Sequence, residues 1–189
     1  MKSENEGKSI FRLSKLSLIS LLVAMVLVVR FLTRIVTGPV IPGDGNAART
    51  AVLIIGKGLL PQFGSCTIIN FVAGILISIL MPSKEGMLTF VKYLTTGVML
   101  DLLYFVVKDY PRKPVLAGIA GTIASLTKLA TQMITIHFVL GISWNVLFVG
   151  MGLLSLSHSF FGFIFGYGAA LIFIQIEARF KYLLQNQKT

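Results

Sequence analysis

The chain has 189 residues, of which 55% are hydrophobic and 13% are charged, and its mean hydropathy is +0.85. A soluble domain of this length has too small a core to bury so many apolar side chains, so the composition excludes a soluble globular protein. The formal net charge of +10 does not indicate nucleic-acid binding, because the basic residues stand in short groups beside apolar segments, where they attract anionic lipid headgroups.

Apolar segments of membrane-spanning length follow one another along the chain, since about 20 such residues cross the hydrocarbon core of a bilayer. The segment 50–81 is interrupted by Pro61 and Gly64, which favour a turn between two short helices. We therefore predict a single all-α integral membrane domain, a compact bundle of six transmembrane helices. The predicted helices span about 16–36, 51–60, 67–81, 87–107, 115–140 and 146–174.

The basic residues predict the orientation of this bundle, because Lys and Arg collect on the cytoplasmic side of membrane proteins. With six helices, the basic groups of the tail 1–15, the loop 108–113 and the tail 178–189 all fall on one side. The opposite loops then contain only Arg49 and Lys84. A five-helix arrangement would move two of the three basic groups to the outside, so six helices with both termini cytoplasmic is the better prediction.

Ionisable residues inside a span are candidates for function, because they are costly in lipid. Lys128 lies well inside the fifth predicted helix, and Gln132 follows it on the same helix face. The fourth helix carries Asp101, with Lys92 and Tyr93 nearer its outer end. Two interpretations of Lys128 stay open: it contacts a ligand, or it forms a structural pair with Asp101.

Other polar residues also have a structural and a functional interpretation. Arg30 and Arg34 either extend to the outer headgroups or line a site, and Lys57 either extends in the same way or pairs within the bundle. Asn145 and His158 lie on the sixth helix. His158 fits a hydrogen-bonded interior histidine better than a metal ligand, because no second ligand stands three or four residues away.

These residues predict a pocket that opens outward between helices four, five and six, under the loop 37–50. We predict no catalytic residue, metal site or cofactor. The lone Cys66 excludes an internal disulfide and a cysteine-based metal site. The chain contains no Gly-x-x-x-x-Gly-Lys-Ser/Thr phosphate loop, so any ATP hydrolysis would come from partner proteins.

Small residues spaced four apart form a further pattern, which allows close approach of helices in membranes. They are Ser20 and Ala24 on the first helix and Gly162, Gly166 and Ala170 on the sixth. They either pack this bundle internally or dock it against another membrane subunit.

Taken together, the chain resembles the substrate-binding S components of energy-coupling factor (ECF) vitamin transporters. S components have about this length, six helices with both termini inside, and a small-xxx-small motif in the first helix. The motif here is Ser20-Leu-Leu-Val-Ala24, where the family usually has alanine at both positions. The segments 64–80, 92–103 and 156–170 are also similar to the family.

The resemblance implies a multi-pass protein of a prokaryotic plasma membrane that captures a vitamin or related micronutrient from outside. The S component would then dock on a transmembrane coupling subunit driven by two ATPase subunits, with Ser20 and Ala24 as its docking face. The ligand would lie among Lys92, Tyr93, Asp101, Lys128, Gln132, Asn145 and His158. The ligand's charge stays open, because the lysines favour an anionic group and Asp101 a cationic one.

Two alternatives come from other classes of protein. The residues from Asp44 to Arg49, followed by Gly58, are similar to the start of the CDP-alcohol phosphotransferase signature. That enzyme needs further metal-binding aspartates where this chain has Gln62 and Cys66. The residues Asp44, Gly45 and Asn46 are instead predicted to form a tight turn in an exterior loop. An independent secondary transporter is the other alternative, although no convincing inverted repeat supports it.

Overall fold

The computed structural model describes residues 2–36, 44–81 and 89–186, and within these ranges all regular structure is helical. A short 3₁₀ turn, Tyr110–Arg112, follows the fourth α-helix. The six α-helices are α1 Lys2–Val36, α2 Asp44–Leu59, α3 Ser65–Leu80, α4 Thr89–Val106, α5 Pro114–Leu140 and α6 Trp144–Asn186.

Four of these helices contain segments long and apolar enough to cross a membrane, and α3 is apolar but shorter. The four segments are Ser14–Val36, Thr89–Val106, Pro114–Val139 and Leu154–Arg179. Large apolar side chains cover the outer surface of the bundle; Val149, for example, is 87% exposed. A surface of this kind is stable in lipid and not in water, which indicates an integral membrane protein.

Three helices extend beyond the predicted limits. Helix α1 begins at Lys2 and α6 continues to Asn186, so both include parts of the predicted tails. The end of α6 contains no Gly or Pro after Gly168, and its Glu, Ala, Lys, Leu and Gln residues favour helix. Helix α2 begins at Asp44, so the predicted exterior turn is helical instead. The rest of the predicted roof, residues 37–43, lies outside the described residues.

Helix α2 is the central helix of the bundle. It packs against α1, α3, α5 and α6, whereas α1 packs mainly against α2 and α3. The polar residues of α2 are buried together with its apolar ones, and they are Asn46, Arg49, Thr50 and Lys57. The prediction that Arg49 lies in an outside loop is therefore wrong, because its side chain is 1% exposed within a helix.

Glycines bring α5 and α6 into direct backbone contact. A Cβ atom added to Gly121 would lie 2.2 Å from the carbonyl oxygen of Gly162, and one added to Gly166 would lie 2.3 Å from that of Ala117. Ala170 is fully buried on the same helix. The small residues of α6 therefore pack the bundle internally, as one of the two interpretations predicted.

The first helix differs in this respect, because Ser20 and Ala24 are both exposed. Bulky apolar side chains surround them on the outer side of α1, including Leu21, which is 57% exposed. Packing against the described helices therefore does not explain the small-residue motif in α1.

Two glycines with positive φ shape the connections between helices. Gly64, at φ 87°, precedes α3, and Gly141, at φ 67°, ends α5. Both conformations belong to the left-handed region, which favours glycine. The His137 ring stacks on Trp144 with 4.4 Å between ring centroids, which joins the end of α5 to the start of α6.

An exposed ion pair connects the 3₁₀ turn to α6. The Arg112 Nε and Nη2 atoms donate to the two carboxylate oxygens of Glu177 at 3.1 and 3.2 Å. Glu177 raises the pKa of Arg112 by hydrogen bonding and by its charge. Because Arg112 is largely exposed, water screens the pair and its contribution to stability is small.

Candidate functional site

Two buried polar clusters lie at different levels along α2. The Lys57 cluster consists of Lys57, Ser65, Thr67, Asp101 and Tyr104. The Arg49 cluster consists of Arg30, Asn46, Arg49, Asn70 and Tyr93. Lys57 and Arg49 are eight residues apart on α2, which corresponds to about 12 Å along the helix axis.

The Lys57 cluster is built around a fully buried ion pair. The Lys57 Nζ atom donates to Asp101 Oδ1 at 2.5 Å and to the backbone oxygen of Gln62 at 2.7 Å, and it lies 4.5 Å from the centroid of the Tyr104 ring. Asp101 Oδ2 accepts from the backbone N–H and the hydroxyl of Thr67 at 2.9 and 2.7 Å. Every charged group in this cluster therefore has hydrogen-bond partners.

This pairing decides between the interpretations of two residues. Asp101 pairs with Lys57 of α2, not with Lys128 of α5, and Lys57 points into the bundle. The carboxylate also holds the start of α3 through Thr67, where the positive end of the helix dipole favours a negative charge. Both oxygens of Asp101 thus have partners within the chain, and its contact with a substrate stays a prediction.

The Arg49 cluster differs because several of its polar atoms have no partner. The Arg49 Nη2 atom donates to Asn46 Oδ1 at 2.7 Å, and the guanidinium carbon lies 3.9 Å from the centroid of the Tyr93 ring. Among the described residues, neither Nε nor Nη1 of Arg49 has an acceptor, and Asn46 Nδ2 is also unpaired. Buried polar atoms are nearly always hydrogen-bonded, so an unpaired group of them indicates a place for a ligand or water.

Asn70 lies at the same level of the bundle as Arg49. The Cys66 thiol lies 3.6 Å from the backbone oxygen of Leu53, which places these residues of α3 and α2 side by side. Because the two helices are antiparallel, one turn from this contact leads to Arg49 on α2 and to Asn70 on α3. Both amide atoms of the fully buried Asn70 lack partners among the described residues.

Arg30 of α1 adds a second guanidinium to the cluster. A Cβ atom added to Gly45 would lie 2.9 Å from Arg30 Nη1, so the side chain reaches the first turn of α2. Its Nε atom is buried without a hydrogen-bond partner in the described part of the chain, and its charge is close enough to act on Arg49. Arg30 therefore turns inward, whereas Arg34 one turn later is exposed.

The predicted site residues fall into separate groups. Lys92 and Tyr93 are both buried on α4, and Tyr93 belongs to the Arg49 cluster. Lys128 is half-buried on α5 and acts electrostatically on the buried His158 of α6. The His158 Nδ1 atom pairs with the backbone oxygen of Leu154 at 2.8 Å, as expected of an interior histidine.

The remaining two predicted residues lie away from the Arg49 cluster. Gln132 is half-buried one turn beyond Lys128 on α5, and Asn145 is exposed at the start of α6. The structure therefore brings Lys92 and Tyr93 to the level of a polar cluster, and it places Asp101 and Asn145 elsewhere.

Three residues of the Arg49 cluster, Asn46, Arg49 and Asn70, were not predicted as site residues, although the sequence contains patterns that indicate them. Asn46, Arg49 and Lys57 recur at helical spacing before Pro61, which indicates a polar helix stripe. Asn70 is an amide within an otherwise apolar helix, and polar groups at such positions are costly without a partner. The resemblance of Asp44-Gly45-Asn46 to a turn concealed the stripe.

Three cavities in the described part of the chain lie away from this cluster. One of about 400 Å³ between α1 and α3 is lined by apolar side chains such as Leu27, Phe31 and Ile77. Another of about 290 Å³ is lined by Tyr104, Lys108 and other residues near the 3₁₀ turn. A solute site needs a few convergent polar groups to orient its ligand, which the apolar cavity lacks. The Arg49 cluster is the stronger candidate for a solute site, because its buried donors lack partners among the described residues.

Comparisons with protein families, with curated proteins and with solved structures gave no match to this chain.

Proposed function

We propose that this protein is the substrate-binding S component of an ECF-type importer in a prokaryotic cell membrane. In this proposal all six helices cross the membrane, with α2 and α3 as short spans and with both termini cytoplasmic. The four long apolar helices and the paired short helices around Pro61 support six crossings. The one-sided distribution of Lys and Arg supports the orientation.

The Arg49 cluster is the observation that best supports the proposal that this protein binds a solute. Its unpaired donors lie inside the bundle, at the central helix, where lipid cannot satisfy them. In the proposed orientation α2 enters from the outside, so Arg49 in its second turn lies in the outer half of the bundle. A solute arriving from outside would meet this cluster before the Lys57 cluster.

The exposed motif of α1 supports the docking part. Ser20 and Ala24 lie on a face that none of the described helices covers, and small residues allow a second helix to approach closely in lipid. We propose that this face contacts a transmembrane coupling subunit that is driven by two ATPase subunits. ATP hydrolysis would then take place in the partners, and this chain would deliver the solute.

Tryptophan at both positions of the docking face tests this function. The Ser20→Trp/Ala24→Trp variant should lose co-purification with the coupling module of the same organism by about tenfold or more, which corresponds to about 1.4 kcal/mol of binding energy. The bulky side chains would prevent close helix approach. The measurement is the yield of coupling subunits with tagged S component from co-expressing cells.

The matched control is Val149→Trp, which adds the same side chain to an exposed position on α6. It should retain the coupling module at the wild-type level. Equal retention by the double variant and the wild type, at equal yield of folded protein, would contradict the docking proposal.

A further inference from the structure

The buried charges of this protein do not balance within its described side chains. Arg49 and Lys57 are buried, and Asp101 is the one carboxylate among the described side chains that is buried with them. Lys57 already pairs with that carboxylate at 2.5 Å. The described side chains thus carry an excess of buried positive charge.

Arg49 is the cation for which this excess matters most. Its guanidinium is practically always protonated, so burial cannot be relieved by loss of the proton. Among the described residues its partners are Asn46 Oδ1 and the Tyr93 side chain, which offers a polar interaction and the face of its ring, and none of them is a carboxylate. The attraction between a ring face and a cation is weaker than the cost of removing the charge from water.

The surroundings of Arg49 add further positive potential. Arg30 brings a second positive charge close to it. Both arginines lie near the start of α2, where the backbone dipoles of a helix contribute a partial positive charge. Asn46 Nδ2, and Asn70 Nδ2 at the same level of α3, are donors without partners among the described residues. The two positive charges, the dipole of α2 and the amide donors together suit the binding of a negatively charged oxygen group.

We propose that the solute of this protein is an organic anion whose carboxylate or phosphate group is bound by Arg49, with Arg30 as the second cation. This proposal rests on the function proposed above and specifies the class of its substrate. Asp101 no longer favours a cationic solute, because Lys57 and Thr67 occupy both of its oxygens.

The test is thermal unfolding of the purified protein in detergent, followed with a thiol-reactive fluorescent dye. Cys66 is the lone cysteine and is fully buried, so the dye reports unfolding. The probes are benzoate and inorganic phosphate, with benzamide as the neutral analogue of benzoate and chloride as the reference anion. Even a millimolar affinity should raise the melting temperature by about 5 °C at about 50 mM probe.

We expect benzoate or phosphate, but not benzamide, to raise the melting temperature of the wild type. The Arg49→Met variant should lose this shift, and in chloride alone it should melt above the wild type, because an uncompensated buried charge is removed. The Arg34→Met variant removes an exposed arginine of α1 and should keep the wild-type shift. A larger shift with benzoate identifies a carboxylate solute, and a larger shift with phosphate a phosphorylated one.

The proposal is overturned if neither oxyanion stabilises the wild type, if benzamide does so equally, or if Arg49→Met keeps the full shift. These outcomes are separate from those of the docking experiment. Anion binding without docking would contradict the importer function alone, and docking without anion binding would contradict only the anionic solute.

Discussion

Replacing Asp101 with leucine should lower the free energy of unfolding by about 3–5 kcal/mol or prevent folding, because Lys57 would be left charged and unpaired in the bundle. Both side chains are 0% exposed, so water cannot replace the lost carboxylate. The backbone N–H of Thr67 would lose its acceptor as well. Chemical denaturation in mixed micelles measures the change.

A second variant separates loss of the ion pair from a general failure to fold. In Lys57→Met/Asp101→Leu no charge remains in the Lys57 cluster, and an apolar pair of similar volume is often as stable as the ion pair that it replaces. We expect the double variant to be more stable than Asp101→Leu by about 1–3 kcal/mol, as measured by a double-mutant cycle. A double variant no more stable than the single one would show that the pair is not the reason for the loss.

Alanine at Gly121 should destabilise the protein by about 1–3 kcal/mol or more, since the added methyl group meets backbone that cannot rotate away. The new carbon would lie 2.2 Å from the carbonyl oxygen of Gly162 and 3.2 Å from the Cα atom of Gly166. The two helices would have to separate along their closest contact. A fall in melting temperature of the purified protein measures this effect.

Gly168→Ala on α6 is the matched control, because nothing lies within 4 Å of its added carbon. Alanine is a better helix former than glycine, so this variant should be more stable than the wild type by about 0.5–1 kcal/mol. The two substitutions are chemically identical and should shift the melting temperature in opposite directions. Equal shifts of the same sign would show that the α5–α6 contact is looser than described.

The helix limits predicted best are those set by the length of an apolar segment and by a Pro or Gly residue next to it. The predicted spans 87–107 and 115–140 correspond closely to α4 and α5. Pro114 stands in the first turn of α5 and Gly141 follows its end, which are the positions that these residues favour. These helix limits are therefore determined by the local sequence, within a few residues of each helix end.

The start of α2 was predicted wrongly for a physical reason. Asp44, Gly45 and Asn46 have side chains and backbone freedom that suit a turn, but Asp and Asn suit the first residues of a helix equally well. Burial by four neighbouring helices decides in favour of the helix. That decision depends on tertiary packing, which the local sequence does not express.

The pairing of charges depended on packing in the same way. Asp101 and Lys57 are 44 residues apart, and the sequence offered Lys128 as an equally reasonable partner. Which cation meets the carboxylate depends on how α3 packs against α4 and on the side chain of α2 that reaches Asp101, which is Lys57. The same arrangement leaves Arg49 without a carboxylate among the described side chains. The sequence therefore could not predict that the charges of the Lys57 cluster are paired and that the Arg49 cluster has unpaired atoms among the described residues.

The two clusters give a simple division of roles within one helix. Lys57 connects α2 to α3 and α4 through bonds that are all made within the chain. Two guanidinium nitrogens of Arg49 have no acceptor among the described residues, and they lie near the end of α2 that the proposed orientation places outside. In the proposed function, the first cluster keeps the bundle together and the second binds the solute.

The most direct test of solute binding is mass spectrometry of the small molecules released when the detergent-purified protein is denatured. We expect a stoichiometric amount of one vitamin-like organic acid or phosphate ester from the wild type, and none from the Arg49→Met variant. Release of a CDP-linked lipid, or of no stoichiometric compound from protein expressed in vitamin-replete cells, would contradict a solute-binding subunit.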